Sequence, residues 1–180
     1  GKDRIINKDT PLTPDNFYGD SKKQAEIKIR PLEDEHFNVV IVRPPMIYGP
    51  GSKGNYPLLS KFAKKTPVFP TLKNQRSMLF LGNLMEFIKQ MIDNEERGIF
   101  LPQNSEYVSS YELIKEIAKI NNHRIWFTGI FNPFIKMFNK QVYVNKVFGN
   151  LMIDKELSKY KNDYNIYSLK QSIEMTEVSL

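Results

Sequence analysis

Residues 11–26 read PLTPDNFYGDSKKQAE, and within them Tyr18 and Lys22 stand four positions apart. On a helix that spacing brings both side chains out on one face, one turn apart. Thr13 is suited to cap such a helix and Pro14 to open it, while Asp15 and Asp20 fall early, where the dipole favours negative charge. The pattern predicts a helix from about Pro14 to Arg30, ended or kinked by Pro31. A phenol titrates near about 10 and is a poor base at neutral pH, and a cation one helical turn away favours its ionised form. Tyr-x-x-x-Lys therefore suits proton abstraction. By itself the pattern is more often a solvated helix face with a half-buried tyrosine.

The following stretch narrows the choice. Residues 38–51 read NVVIVRPPMIYGPG: a short apolar strand, Val39 to Val42, then Arg-Pro-Pro and a Tyr-Gly-Pro-Gly turn. A helix with Tyr-x-x-x-Lys, a strand and then RPPMIYGPG resemble the extended short-chain dehydrogenases/reductases, and among them the NAD-dependent epimerase/dehydratase family acting on nucleotide sugars. The likeness continues through Arg76 and the strand expected at 76–81, and through NKVFGNLMIDKELS at 145–158. Its character is that of bacterial UDP-sugar 4-epimerases of surface-polysaccharide pathways. The resemblance implies an α/β fold: the C-terminal part of a Rossmann-like extended fold plus the small substrate-binding subdomain. Residues 1–50 would end the NAD-binding domain, and 51–180 would be mainly the nucleotide-sugar subdomain.

The roles that follow are implied by the resemblance. The phenolate of Tyr18 takes the proton from the sugar C4 hydroxyl while hydride leaves C4 for NAD, giving a 4-keto sugar that turns over and is reduced on its other face. Lys22 supports the phenolate and holds the nicotinamide ribose. Pro44 and Pro45 line the nicotinamide site, beyond the carboxyl end of a strand. Met46 falls where many 4-epimerases carry an asparagine that touches the sugar, a departure that bears on which hexose is used. Arg76 grips the diphosphate of the UDP moiety, as a planar guanidinium suits phosphate oxygens. Val68 and Phe69 flank uracil, Asn55 meets the sugar-phosphate, and Lys146 adds a second phosphate contact. A 4,6-dehydratase, a 4-keto reductase or a non-catalytic nucleotide-sugar binding module are the alternatives. The family pairs subunits through the helix bearing Tyr-x-x-x-Lys, which implies a homodimer.

Composition is compatible with these expectations. The 180 residues carry 41% hydrophobic and 26% charged residues, with 26 Lys and Arg against 20 Asp and Glu. The net charge of +6 suits an anionic partner such as a dinucleotide or UDP-sugar. The basic residues are spread and no nucleic-acid-binding signature appears, which argues against a nucleic-acid partner. No apolar run reaches the length of a membrane span. With no cysteine the chain fits a reducing, cytoplasmic setting, and two distant histidines, His36 and His123, argue against a metal site.

Strand and helix patterns alternate along the rest of the chain. Helices are expected at about Tyr56–Lys64 (Leu58, Leu59 and Phe62 inward), Leu84–Asn94 (Phe87, Ile88, Met91 and Ile92 inward) and Tyr111–Ile120 (Leu113, Ile114, Ile117 and Ala118 inward). Ser109 or Ser110 would cap the third, and a last helix starts near Ser168. Strands are expected at 98–101, 125–127 and 151–153, with Asp154 as an N-cap. Residues 131–149, FNPFIKMFNKQVYVNKVFG, are aromatic and basic. Gly129 and Pro133 interrupt any long amphipathic helix there, so a wall of the substrate subdomain is expected.

None of the nine glycines forms the G-x-x-G-x-x-G turn of a dinucleotide fold, which opens the family's chain well before the Tyr-x-x-x-Lys helix. The Ser or Thr completing the family's catalytic trio also lies farther upstream than Thr10 or Thr13, and Ser21 is not that residue. The resemblance thus implies a C-terminal portion that neither binds NAD tightly nor turns over alone.

Overall fold

The computed structural model describes residues 4–7, 9–14, 16–138 and 141–179. In chain order the elements are β1 (Arg4–Ile6), α1 (Phe17–Ile29), a 3-10 turn (Arg30–Leu32), β2 (Val40–Val42), β3 (Met46–Tyr48), α2 (Asn55–Ala63), β4 (Val68–Pro70) and β5 (Met78–Phe80). There follow α3 (Leu81–Asp93), β6 (Gly98–Phe100), α4 (Ser110–Ile120), β7 (Trp126–Thr128), α5 (Asn132–Met137), α6 (Val142–Phe148), β8 (Leu151–Ile153), a 3-10 turn (Lys155–Ser158) and α7 (Leu169–Val178).

Every strand pairing among the described residues is parallel: β1 with β8, β2 with β6, β3 with β5 and β4 with β7. Parallel partners need crossovers rather than hairpins, and helices supply them. Just before β5, the Ser77 amide donates to the Leu151 carbonyl (2.9 Å), so the β3–β5 pair leans on the β8–β1 pair. The Arg43 amide donates to the Phe100 carbonyl (2.8 Å), prolonging β2–β6 past its last residue. Strands 78–80 and 98–100 are thereby carried back onto the first fifty residues.

Two hydrophobic cores form. The larger gathers Tyr48, Tyr56, Phe69, Met78, Phe80, Leu113, Ile114, Ile117 and Ile173 from strands β3–β5 and helices α2, α4 and α7. The smaller joins Leu79, Phe87, Met91 and Tyr164. Gly49 is obligatory at the end of β3, because at φ +155° a Cβ would lie 2.7 Å from the Leu81 Cβ.

Several local expectations need correction. Helix α1 begins at Phe17 rather than at Pro14, because Asn16 is the cap: its Oδ1 accepts from the Gly19 amide at 2.8 Å. Asp15 lies outside the described residues. Residues 46–48, read as the approach to a turn, form β3, and residues 4–6 form β1. On α2 the buried positions are Tyr56, Ser60 and Ala63, while Leu58 and Phe62 are exposed and only Leu59 of the expected trio packs inward. On α3, Phe87 and Met91 are buried as expected but Ile88 and Ile92 are exposed, their places on the inner face taken by Asn83 and Gln90. Helix α4 buries all four expected residues and is closed by a reciprocal cap between Ser109 and Glu112.

Candidate functional site

Two groups of candidate residues emerge. The first lies on α1. Lys22 Nζ sits 5.4 Å from the Tyr18 ring centroid, one turn on, and Tyr18 is 73% exposed. The helix buries none of its residues, so the pair faces open solvent. A third member of the same stripe, Glu26, is four residues beyond Lys22. It receives Arg43, which lies just past β2: Nε donates to Oε2 at 3.0 Å and Nη2 to Oε1. This two-pronged ion pair ties the Tyr18–Lys22 helix to the end of a strand. Pro44, Pro45 and Met46 follow directly, all half-buried, with Met46 packed against the larger core.

The second group is built on the approach to β5. Asn74 and Arg76 reach across to the segment between α6 and β8. Arg76 Nη1 donates to the Gly149 carbonyl at 3.2 Å and, at the limit, to the Asn145 carbonyl at 3.5 Å. Asn74 Nδ2 donates to the carbonyls of Gly149 (3.2 Å) and Val147 (3.3 Å), while its Oδ1 accepts from the Ser110 amide at 2.9 Å. Gly149 is fitted closely here, since a Cβ would come within 2.6 Å of the Asn145 carbonyl. Burial lowers the pKa of Arg76. Among the described residues its guanidinium bonds only backbone carbonyls through Nη1 and pairs with no carboxylate. A half-buried cation neutralised by neither Asp nor Glu is suited to an external anion.

The other expected positions distribute as follows. Asn55 is the exposed first residue of α2. Val68 is half-buried, whereas Phe69 is 2% exposed, its ring packed against Phe62 (6.2 Å) and Phe148 (5.8 Å). Lys146 lies in α6, which Arg76 touches through Asn145, but its side chain falls outside the described part. Asn74, Glu26 and Arg43 escaped sequence reasoning. Glu26 had a signal, the i, i+4, i+8 series from Tyr18; Asn74 had none, because its role depends on a carbonyl 75 residues away. Among the described residues no group of three His, Asp or Glu is placed to hold a metal. No helix there is long and apolar enough to cross a membrane.

Residues 1–101 match the model of the NAD dependent epimerase/dehydratase family. A UDP-glucose 4-epimerase of Vibrio cholerae is 31% identical over 151 residues, covering 78% of this chain and 46% of that protein. An N-acetyl-alpha-D-glucosaminyl-diphospho-ditrans,octacis-undecaprenol 4-epimerase of Escherichia coli O157:H7 is 31% identical over 122 residues, 64% of this chain and 37% of its own length. The chain thus spans less than half the length of these two relatives. A solved UDP-glucuronic acid 4-epimerase of Bacillus cereus in complex with NAD superposes with a TM-score of 0.70 at 15% identity, covering 99% of this chain and 56% of that one. The UDP-glucose 4-epimerase of Thermus thermophilus, also in complex with NAD, gives 0.66 at 13%, covering 98% and 57%. At such identities the likeness shows the fold, which is the Rossmann-like α/β fold. By the match over its first 101 residues, the chain belongs to the NAD dependent epimerase/dehydratase family.

Proposed function

We propose that this chain is the C-terminal, substrate-side portion of an NAD-dependent nucleotide-sugar 4-epimerase of polysaccharide biosynthesis, working in the cytoplasm on a UDP-hexose or UDP-N-acetylhexosamine. The observation that carries the reading is the exposed Tyr18–Lys22 pair, set on the strand end by Glu26 and Arg43. Tyr18 removes the proton from the sugar C4 hydroxyl and returns it after the sugar has turned over; Lys22 holds the phenolate and the nicotinamide ribose. NAD supplies the hydride acceptor and donor. The residues present fit the nicotinamide end of that cofactor, since Tyr18 and Lys22 are open and the helix that bears them is tied to the residue preceding Pro44 and Pro45. No Gly-rich phosphate turn occurs in the 180 residues for its diphosphate. Residues 1–50 serve the cofactor side and 51–180 mainly the nucleotide sugar, with Met46, Asn55, Val68, Arg76 and Lys146 on the substrate. Two chains pair through α1.

Calorimetric titration of the 180-residue chain with UDP and, separately, with NAD tests this reading. UDP should bind, and Arg76→Ala should weaken it at least tenfold, whereas NAD should not bind tightly. Failure of UDP to bind would remove the role given to Arg76. In the complete enzyme Tyr18→Phe should cut turnover by roughly a hundredfold or more, and unchanged turnover would refute the catalytic assignment.

A second reading concerns the group beyond the diphosphate. The E. coli relative is named for a sugar on an undecaprenyl diphosphate, and Phe69, expected beside uracil, has its ring in the core. Arg76 recognises the diphosphate common to both carriers. Equal affinity for UDP and inorganic diphosphate would favour a carrier other than uridine.

A further inference from the structure

The exposed aromatic surface between β7 and α6 is unused by the function proposed above. The turn leaving β7 is tied by Ile130 N to Thr128 Oγ1 (3.3 Å) and Asn132 N to Gly129 O (3.0 Å), and α5 follows at once. Phe134 and Met137, spaced i, i+3, share one face of α5, and Ile130, Phe131 and Phe138 flank that short helix in the chain. All five are exposed, Phe134 to 61% and Met137 to 66%. Trp126, the only tryptophan, is 67% exposed one strand upstream. Six large apolar side chains within thirteen residues are thus exposed.

Charge indicates what covers them. Between Glu116 and Asp154 the chain carries no acidic residue, while Lys119, Arg124, Lys136, Lys140 and Lys146 all fall within that interval. Lys119 and Arg124 are exposed. The interval thus carries five positive charges and no negative one, against a net +6 for all 180 residues. Phe, Met and Trp that enter the acyl boundary, with Lys and Arg beside them for the headgroups, are the composition of an interfacial membrane contact. A protein partner's acidic groove would be met by the charges but gives no reason for so many bare apolar side chains. We infer that the 126–138 surface docks this protein on an anionic lipid bilayer, lying in the interface without spanning it. The inference goes beyond the reaction proposed above and does not depend on it.

Trp126 provides the readout. Titrating the 180-residue chain with vesicles of about 30% phosphatidylglycerol in phosphatidylcholine should blue-shift its emission and render it quenchable by brominated acyl chains, with co-sedimentation weakening as salt rises. Pure phosphatidylcholine vesicles should bind at least tenfold more weakly. The double variant Phe134→Glu/Met137→Glu, whose side chains are exposed and whose thermal unfolding should match the parent, should lose binding tenfold or more. Arg124→Glu should weaken it by a smaller factor. No shift with anionic vesicles, or equal binding by the double variant, overturns the inference. So does a concentration-dependent self-association that the double variant abolishes while vesicle binding is absent, since a second copy would then be the occupant.

Discussion

At the scale of single residues, the clearest dependence is on one carboxylate. Glu177 is buried, and its Oε2 accepts from Ser60 Oγ, Asn121 Nδ2 and Lys64 Nζ, each at 2.9 Å. Burial alone would raise its pKa, but the hydrogen bonds from Lys64, Asn121 and Ser60 and the charge of Lys64 outweigh it and leave the pKa below the ordinary carboxylate value. A depressed folded-state pKa stabilises the protein above the unfolded value, about 4.3 for Glu. That contribution is lost as pH falls through the lower folded value. Urea unfolding followed from about pH 7 to about pH 3 should therefore show a stability loss at the acid end that Glu177→Gln lacks, the variant itself costing about 2 kcal/mol at neutral pH. At the site, Arg43→Ala removes the tie between α1 and the end of β2 without emptying a core. In the complete enzyme it should lower kcat by roughly tenfold to a hundredfold through misplacement of Tyr18, with unfolding shifted by less than about 1 kcal/mol. A loss of stability without a loss of kcat would show that Arg43 holds the fold rather than the site. Tyr18 and Lys22 were legible because their relation is local, one turn of one helix. Arg43 with Glu26, and Asn74 with Gly149, were not, because such pairs exist only after distant segments meet.

At the scale of elements, what could be read depended on whether a helix buries the face that its apolar stripe marks. Helix α4 has a single apolar stripe and a capping box, so its inward face and its start were both evident. Helix α3 has an apolar stripe as clear as that of α4, but the face it buries is rotated away from the middle of that stripe. Its inner face includes Asn83, which bonds Asn104, Asn165 and the Tyr167 carbonyl, and Gln90, which bonds Glu86 and the Asp163 carbonyl. Such polar anchors satisfy loop carbonyls that no sequence period announces, and they turn Ile88 and Ile92 outward. The contrast is measurable by chemical denaturation. Ile117→Ala, in the centre of the larger core, should cost about 3 kcal/mol, whereas Ile92→Ala should stay within about 0.5 kcal/mol. Comparable losses would mean that the outer face of α3 is covered in solution. On α2, tyrosine and serine hold the inward positions for the same kind of reason: Tyr56 stacks on Tyr48 at 5.2 Å and Ser60 bonds Glu177, so the face is chosen by partners rather than by greasiness. Strands β1 and β3 were missed because polar residues surround the first in sequence and Pro44-Pro45 and Gly49-Pro50 bracket the second, so that neither read as an apolar run.

At the scale of the whole molecule, stability is unevenly spread. The parallel pairs β3–β5 and β4–β7 and helices α2, α4 and α7 converge on the larger core, whose central side chains are wholly buried. Helix α1 buries none of its thirteen residues and is held by the Glu26–Arg43 ion pair and the 3-10 turn that follows it. Isolated helices of that length are marginal in water, since propagation barely offsets nucleation. The element bearing Tyr18 and Lys22 should therefore open far more often than the larger core. Native-state hydrogen exchange reads this directly. Amides of Ser21 to Ile29 should exchange faster than those of Leu113 to Ala118 by roughly two orders of magnitude or more, and Arg43→Ala should widen the gap by acting on α1 alone. Equal protection of the two helices at every protein concentration would contradict the exposure of α1. Protection of α1 that rises with concentration would instead mean that a second copy of the chain covers it, and the exchange rates of the α1 amides would then report the affinity of that pairing.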